Sequence, residues 1–250
     1  MNIQLDWSMI ACYMACPMKF YWRHCKHYAP VYKSKALSVG MLWHECMETR
    51  YNGEVEKAIQ LSKQLPEVKL AYDKYCTVYD NNDFEPIVVE SGFAVVLNEW
   101  LTYCGRVDLI GKLGDICLVD HKSTGVSSLQ MYLSSFDISQ QMSGYLYGAN
   151  ALCDEAISKI IMNIWHKRKN EFIRYATSRT DQQISDWKDD IIKVAARIVY
   201  SIENNYWYRH TGSCYQYFSQ CPYYDVCQGL PLDTDRFEVK EWHPYKGEIA

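Results

Sequence analysis

Residues 104–122 read CGRVDLIGKLGDICLVDHK. Two alternating apolar runs flank a glycine-containing turn, the pattern of a β-hairpin. The first run ends its alternation on Asp108 and the second on Asp120. Lys122 follows Asp120 by two positions, so on a strand the two share a face. Val107, Leu109 and Ile110, then Ile116, Leu118 and Val119, make both strands apolar enough for the middle of a sheet. Carboxylates embedded there must be paired or ligate metal. An exposed Asp–Lys pair would be worth little. Two acids and an ammonium aimed at one place make sense if a divalent cation neutralises the acids and the lysine works beside it.

Composition bounds this reading. A chain of 250 residues makes one large domain or two small ones. Its apolar fraction of 48% supplies a sizeable core, and no Pro/Gly/Ser-rich linker divides it. The expectation is a single domain over 1–250, with N-terminal helices at 8–80, a catalytic core at 86–178, and a C-terminal helix and cysteine cluster at 180–230. The net charge of −4 argues against a general polyanion binder but permits a local basic groove. Lys19, Arg23, His24, Lys26, His27, Lys33 and Lys35 concentrate positive charge near the N-terminus, interleaved with Tyr13, Phe20, Tyr21, Trp22, Tyr28 and Tyr32. Such a mixture suits a nucleic-acid strand, through phosphate contacts and stacking. It equally suits a solvated helix whose aromatics face a core. No secretory signal is expected from MNIQLDW, and no run reaches the length of a membrane span. Eleven cysteines without an export signal point to a reducing compartment, where thiols are free or bind metal. The expected location is the cytoplasm, or the host cytoplasm for a phage-encoded protein.

Periodicity predicts helices over 8–24, 35–50, 54–80 (interrupted near Pro66), 139–152 and 180–207, the last opened by a Thr180/Gln183 capping box. Strands are predicted at 86–97, 101–111, 115–122, 157–167 and 171–178. The order implies an α/β domain with a mixed central sheet flanked by helices.

In this order the pieces resemble the PD-(D/E)XK nuclease superfamily, and within it the RecB-like branch of RecB and AddB nuclease domains and CRISPR-associated adaptation nucleases. The motifs are the Ser8–Cys16–Pro17 helix, Gly40-Met-Leu-Trp-His44, Gly105-Arg-Val-Asp108, Asp120-His121-Lys122 and Gln141-Met-Ser-Gly-Tyr145. The Pro-Asp that names the superfamily is here Val-Asp, and its second acid is Asp. The resemblance implies a restriction-endonuclease-like fold and a Mg²⁺ or Mn²⁺ ion held by His44, Asp108, Asp120 and the backbone carbonyl of His121. Glu90 is a weaker candidate for a second ion or for support. Lys122 would orient or activate water, and Gln141 and Tyr145, on one helix face, would hold Lys122 or a phosphate; Gln140 is the alternative to Gln141. Cys16, Cys214, Cys221 and Cys227 resemble the cysteines that bind a [4Fe-4S] cluster in several RecB-like nucleases, although the usual Cys-x-x-Cys is here a six-residue gap. Zn²⁺ is the alternative occupant, Cys12 is the alternative fourth ligand, and free buried cysteines are the remaining reading.

The implied activity is metal-dependent DNA hydrolysis, as an exonuclease acting on single strands or free ends. The alternatives are a non-catalytic iron–sulfur or zinc DNA-binding protein of the same fold, and a metal-dependent hydrolase of another phosphodiester. No Walker A signature is present, so a helicase or recombination protein would be a separate partner, in repair or recombination.

Overall fold

The computed structural model describes residues 2–32, 34–80, 82–216 and 219–243; Lys33 of the basic run lies outside them. After β1 (Ile3–Leu5), Pro17 shapes the first helical segment. A residue before proline is pushed out of the α region, and Cys16 is extended at φ −167°, ψ 113°. The helix predicted over 8–24 is therefore α1 (Trp7–Ala15) and α2 (Pro17–Phe20), followed by a π-helical turn over Tyr21–Cys25. β2 (Tyr28–Pro30) comes next. Ser34 caps α3 (Lys35–Tyr51), its hydroxyl accepting the Leu37 N–H at 3.3 Å. Pro66 opens α5 (Pro66–Val78) after α4 (Val55–Ser62).

Three long strands follow: β3 (Glu85–Asn98), β4 (Leu101–Leu113) and β5 (Asp115–Thr124). Gly114 turns between the last two at φ +77°, a conformation that suits glycine. α6 (Leu129–Ser134), α7 (Gln140–Ala149), β6 (Lys159–His166), β7 (Glu171–Ser178) and α8 (Asp181–Glu203) continue the chain. The capping box of α8 forms as read: Thr180 Oγ1 accepts the Gln183 N–H at 3.2 Å, and Gln183 Oε1 accepts the Thr180 N–H at 2.9 Å. The short elements β8 (Tyr215–Gln216), β9 (Ser219–Gln220), α9 (Tyr224–Cys227) and β10 (Phe237–Val239) complete it.

The chain divides into two compact units. One draws on residues between 1 and 33, 94 and 104, and 188 and 244; the other on residues between 34 and 93 and between 105 and 187. In the second unit β5 lies between β4 and β6, with β3 beside β4 and β7 beside β6. β4 and β5 are antiparallel, β5 and β6 parallel, β6 and β7 antiparallel, which makes the sheet mixed. α3 and α7 pack on β5. β5 and β6 are buried along nearly their whole length, as strands covered on both faces are. Trp43, Met47, Tyr72, Tyr75, Leu109, Val119 and Ile161 form the core beneath it.

In the first unit β1 runs parallel to Leu101–Tyr103, and β10 pairs antiparallel with β2. The Tyr13 hydroxyl ties α1 to α8 by donating to the Arg197 carbonyl at 3.0 Å, with Ser201 Oγ at 2.8 Å. The aromatics of the basic run pack locally here: Phe20 is buried, Tyr21 lies 5.3 Å from Trp207, and Trp22 lies 6.1 Å from Tyr28.

Candidate active site

Strand alternation sorts the Asp120-His121-Lys122 triplet onto two sides. Asp120 and Lys122 share one, and the Lys122 Nζ stands 2.6 Å from Asp120 Oδ2. Asp120 is 1% exposed. Across the hairpin, Asp108 Oδ2 accepts the backbone N–H of His121 at 2.8 Å, so the second strand itself holds the first acid. α3 turns Trp43 into the core and brings His44 to the same carboxylate, Nδ1 to Oδ2 3.4 Å. Glu90 arrives by a different route. It sits inside β3 at φ +46°, a left-handed kink that a non-glycine residue adopts rarely and that re-aims the strand. Its carboxylate meets Arg106 Nε at 2.7 Å. One ligand atom from each of His44, Glu90 and Asp108 lies within 4.8 Å of the other two. Among the described residues this is the one such cluster of three or more histidine, cysteine or acidic groups.

The electrostatics are those of a donor set short of positive charge. Burial, and then the Asp108 charge, push the Glu90 carboxyl up to about 8. Burial acts the same way on Asp108, but His44, Lys122 and the His121 N–H outweigh it and hold that carboxyl below its ordinary value. Lys122 is held protonated by Asp120 and Asp108 against the cost of its burial. The Tyr145 hydroxyl, pushed up to about 12 by burial and the Asp120 charge, stays neutral and accepts a hydrogen bond from Gln141 Nε2 at 3.2 Å. Gln141 and Tyr145 are thus paired i,i+4 on α7, and the Asp120 and Lys122 charges both act on the tyrosine hydroxyl.

Two glycines let α7 and β4 share one ring. A Cβ on Gly105 would come within 2.8 Å of the Phe93 ring, and one on Gly148 within 2.4 Å. Phe93 also meets Tyr145 edge-on at 6.3 Å. On the other side of β5, the His121 ring stacks on Tyr51 (5.5 Å, 12°) and its Nδ1 meets Asn163 Nδ2 at 3.0 Å. Burial pushes this imidazole down to about 4, so it is neutral. Asn163 and Tyr75 continue the contacts to Asp83, which also meets Arg50 and Arg174.

Cys16, Cys214, Cys221 and Cys227 all line one cavity of about 200 Å³ within the first unit. Local hydrogen bonds shape it: Cys221 N–H donates to the Cys214 carbonyl at 2.8 Å, the Ser213 hydroxyl to the Ala15 carbonyl at 2.6 Å, and His210 N–H to Cys16 Sγ at 3.4 Å. Cys12 lines a different cavity. No three of the four thiols lie within 4.8 Å of one another. Tetrahedral Zn²⁺, with Zn–S of about 2.3 Å, requires sulfurs about 3.8 Å apart.

The family model of the PD-(D/E)XK nuclease superfamily matches residues 5–228, most of the chain. The chain belongs to the PD-(D/E)XK nuclease superfamily. A solved structure of a provisionally assigned exonuclease from Eubacterium rectale shares the fold: TM-score 0.57, 9% identity, over 92% of this chain and 88% of that one. The structure of SSO0001 is similar only at TM-score 0.33 and 15% identity, over 63% of this chain and 73% of that one. No curated protein sequence matches.

For a PD-(D/E)XK nuclease the observed donor set fits a hard divalent ion: two half-buried carboxylates and an imidazole, with repulsion between the acids left for a cation to relieve. The grouping differs in emphasis from the sequence reading. Glu90, the weaker candidate there, stands with His44 and Asp108, whereas Asp120 is engaged by Lys122. Arg106, inside the Gly105–Asp108 motif, and the Asp83 network were not singled out in the sequence.

Proposed function

We propose that this PD-(D/E)XK chain, read as one nuclease domain, is a metal-dependent DNA nuclease of the RecB-like type. Its substrate is DNA with free ends or single strands, and its action exonucleolytic. The observation that carries the reading is the convergence of His44, Glu90 and Asp108 on one point, with Asp108 bonded to the strand that presents Asp120 and Lys122.

His44, Glu90 and Asp108, with Asp120 and the His121 carbonyl as further donors, would hold Mg²⁺ or Mn²⁺. Such an ion supplies Lewis acidity toward the phosphate and makes water a stronger acid. Lys122, held as the ammonium, orients the attacking water and counters charge developing on the phosphate rather than taking a proton at neutral pH. The Tyr145 hydroxyl, oriented by Gln141, donates to Asp120 or to a phosphate oxygen. Arg106 holds the Glu90 carboxylate in place. Cys16, Cys214, Cys221 and Cys227 would take a [4Fe-4S] cluster, a reading supported by the cavity they share.

Incubation of the purified protein with end-labelled single- and double-stranded DNA and Mg²⁺ or Mn²⁺ tests this. Wild type should release nucleotides from the ends. Asp120→Ala and Lys122→Ala should abolish cleavage while sparing DNA binding; unchanged cleavage in both would sink the mechanism. Iron analysis and absorbance in the iron–sulfur charge-transfer region decide the cysteine site separately.

A further inference from the structure

The basic N-terminal run is only partly explained by local packing. Lys26 lies over the Tyr21 ring at 5.4 Å, and Lys35 pairs with Glu67 at 3.2 Å. Of the others, Lys19, Arg23 and His24 line a cavity of about 350 Å³ in the first unit, together with Ser8 and Trp242. Among the described residues no Asp or Glu lines it. The Arg23 guanidinium faces the Trp242 ring at 5.6 Å, and its Nη1 is buried without a hydrogen-bond acceptor. Trp242 is fixed in turn: its indole N–H donates to Asp6 Oδ2 at 2.7 Å. Asp6 also caps α1 through the Met9 N–H at 2.7 Å. The acid behind the tryptophan is thus already engaged by two donors. Burial, and then Arg23, push the His24 imidazole down to about 4, and its Nδ1 is also buried without a partner.

A guanidinium fork, an ammonium and a hydroxyl converging in a cavity without a carboxylate lack an anion. A guanidinium and an ammonium together match a phosphate's shape and charge. The indole beside them offers a stacking face, as single-strand binding sites do. We propose that Lys19, Arg23 and Ser8 form a binding site for a backbone or terminal phosphate of a nucleic-acid strand, with Trp242 packing against the adjoining nucleotide. The site holds or fails independently of cleavage, because it is read by binding.

The test is the anisotropy of labelled oligothymidine bound to the full chain in EDTA, across a KCl series, for wild type, Lys19→Gln, Arg23→Gln and Arg23→Lys. Each glutamine variant should bind more weakly and flatten the slope of log affinity against log salt by about 0.7, the value for one lost single-strand phosphate contact. Arg23→Lys should keep the wild-type slope. Lys19 also borders the cysteine cavity, so iron content is measured alongside. If Arg23→Gln does not fold, Lys19→Gln decides, because it leaves the Arg23–Trp242 contact in place. Inorganic phosphate at constant ionic strength separates the two sources of the ligand. Competition with oligothymidine on wild type, lost in Lys19→Gln, supports strand binding. A melting shift with inorganic phosphate but unchanged oligothymidine affinity in the variants would overturn it, as would wild-type affinity and slope in both glutamine variants.

Discussion

Asp83 is the residue whose loss should cost this fold most. Its carboxylate accepts from Arg50 Nε and Nη2 at 3.2 and 3.1 Å, from Arg174 Nη2 at 2.8 Å, from the Tyr51 and Tyr75 hydroxyls at 2.7 and 3.0 Å, and from the Phe84 N–H at 2.9 Å. The two guanidinium side chains are only 18% and 11% exposed. Asp83→Ala leaves both cations facing a cavity with no counter-charge. Breaking a buried ion pair by removing one partner costs about 3–5 kcal/mol, a large share of the ~5–15 kcal/mol that holds a domain folded. For a chain of this size that is a fall in Tm of roughly 6–20 °C. Asp83→Asn keeps the shape and several acceptor contacts, so it should lose less than the alanine variant. Urea unfolding followed by circular dichroism, with Tm from the same signal, measures both. A loss below ~1 kcal/mol for Asp83→Ala, the scale of an exposed ion pair, would refute the reasoning.

The shared ring of Phe93 and the metal cluster give two further expectations. Gly148→Ala should cost about 1–3 kcal/mol by overpacking against Phe93, read by urea unfolding, and Phe93→Leu in the same chain should recover part of it. Mn²⁺ at 100 times its Kd should stabilise wild type by about 2.7 kcal/mol. The shift should vanish in His44→Ala and on chelation, as followed by thermal unfolding.

The hairpin was legible because its information is local: alternation, a turn glycine, and acids on two neighbouring strands in a short stretch. His44 and the Gln141–Tyr145 pair were legible through short motifs that resemble the family's, and the structure sets His44 beside Asp108 and bonds Gln141 to Tyr145. Glu90 was legible only as a weaker candidate, because its place depends on a left-handed backbone at a glutamate, which alternation does not encode. Pro17 was visible, and its effect on Cys16 splits the helix that apolar spacing alone extends to residue 24. That same extended Cys16 places its sulfur in the cavity with the C-terminal cysteines, leaving Cys12 in another. The Asp83 network lay beyond sequence reading for a different reason. Its partners come from positions 33 residues before it and 91 after it, and no spacing rule joins them.

That network bears on the site through His121. In the triplet Asp120-His121-Lys122 the outer two residues share the side of the candidate site, so the middle one faces the core by strand parity. A polar middle residue is expensive there unless its hydrogen bonds are met. Asn163 meets His121 Nδ1, while Nε2 is buried without a hydrogen-bond partner, and Tyr75 links Asn163 to Asp83. The backbone N–H of the same His121 holds Asp108 from the opposite strand. One residue therefore joins a core anchor to the hairpin acid, and sliding β5 by one position would break both contacts at once. The histidine is a register pin: it fixes where Asp120 and Lys122 stand without itself facing them.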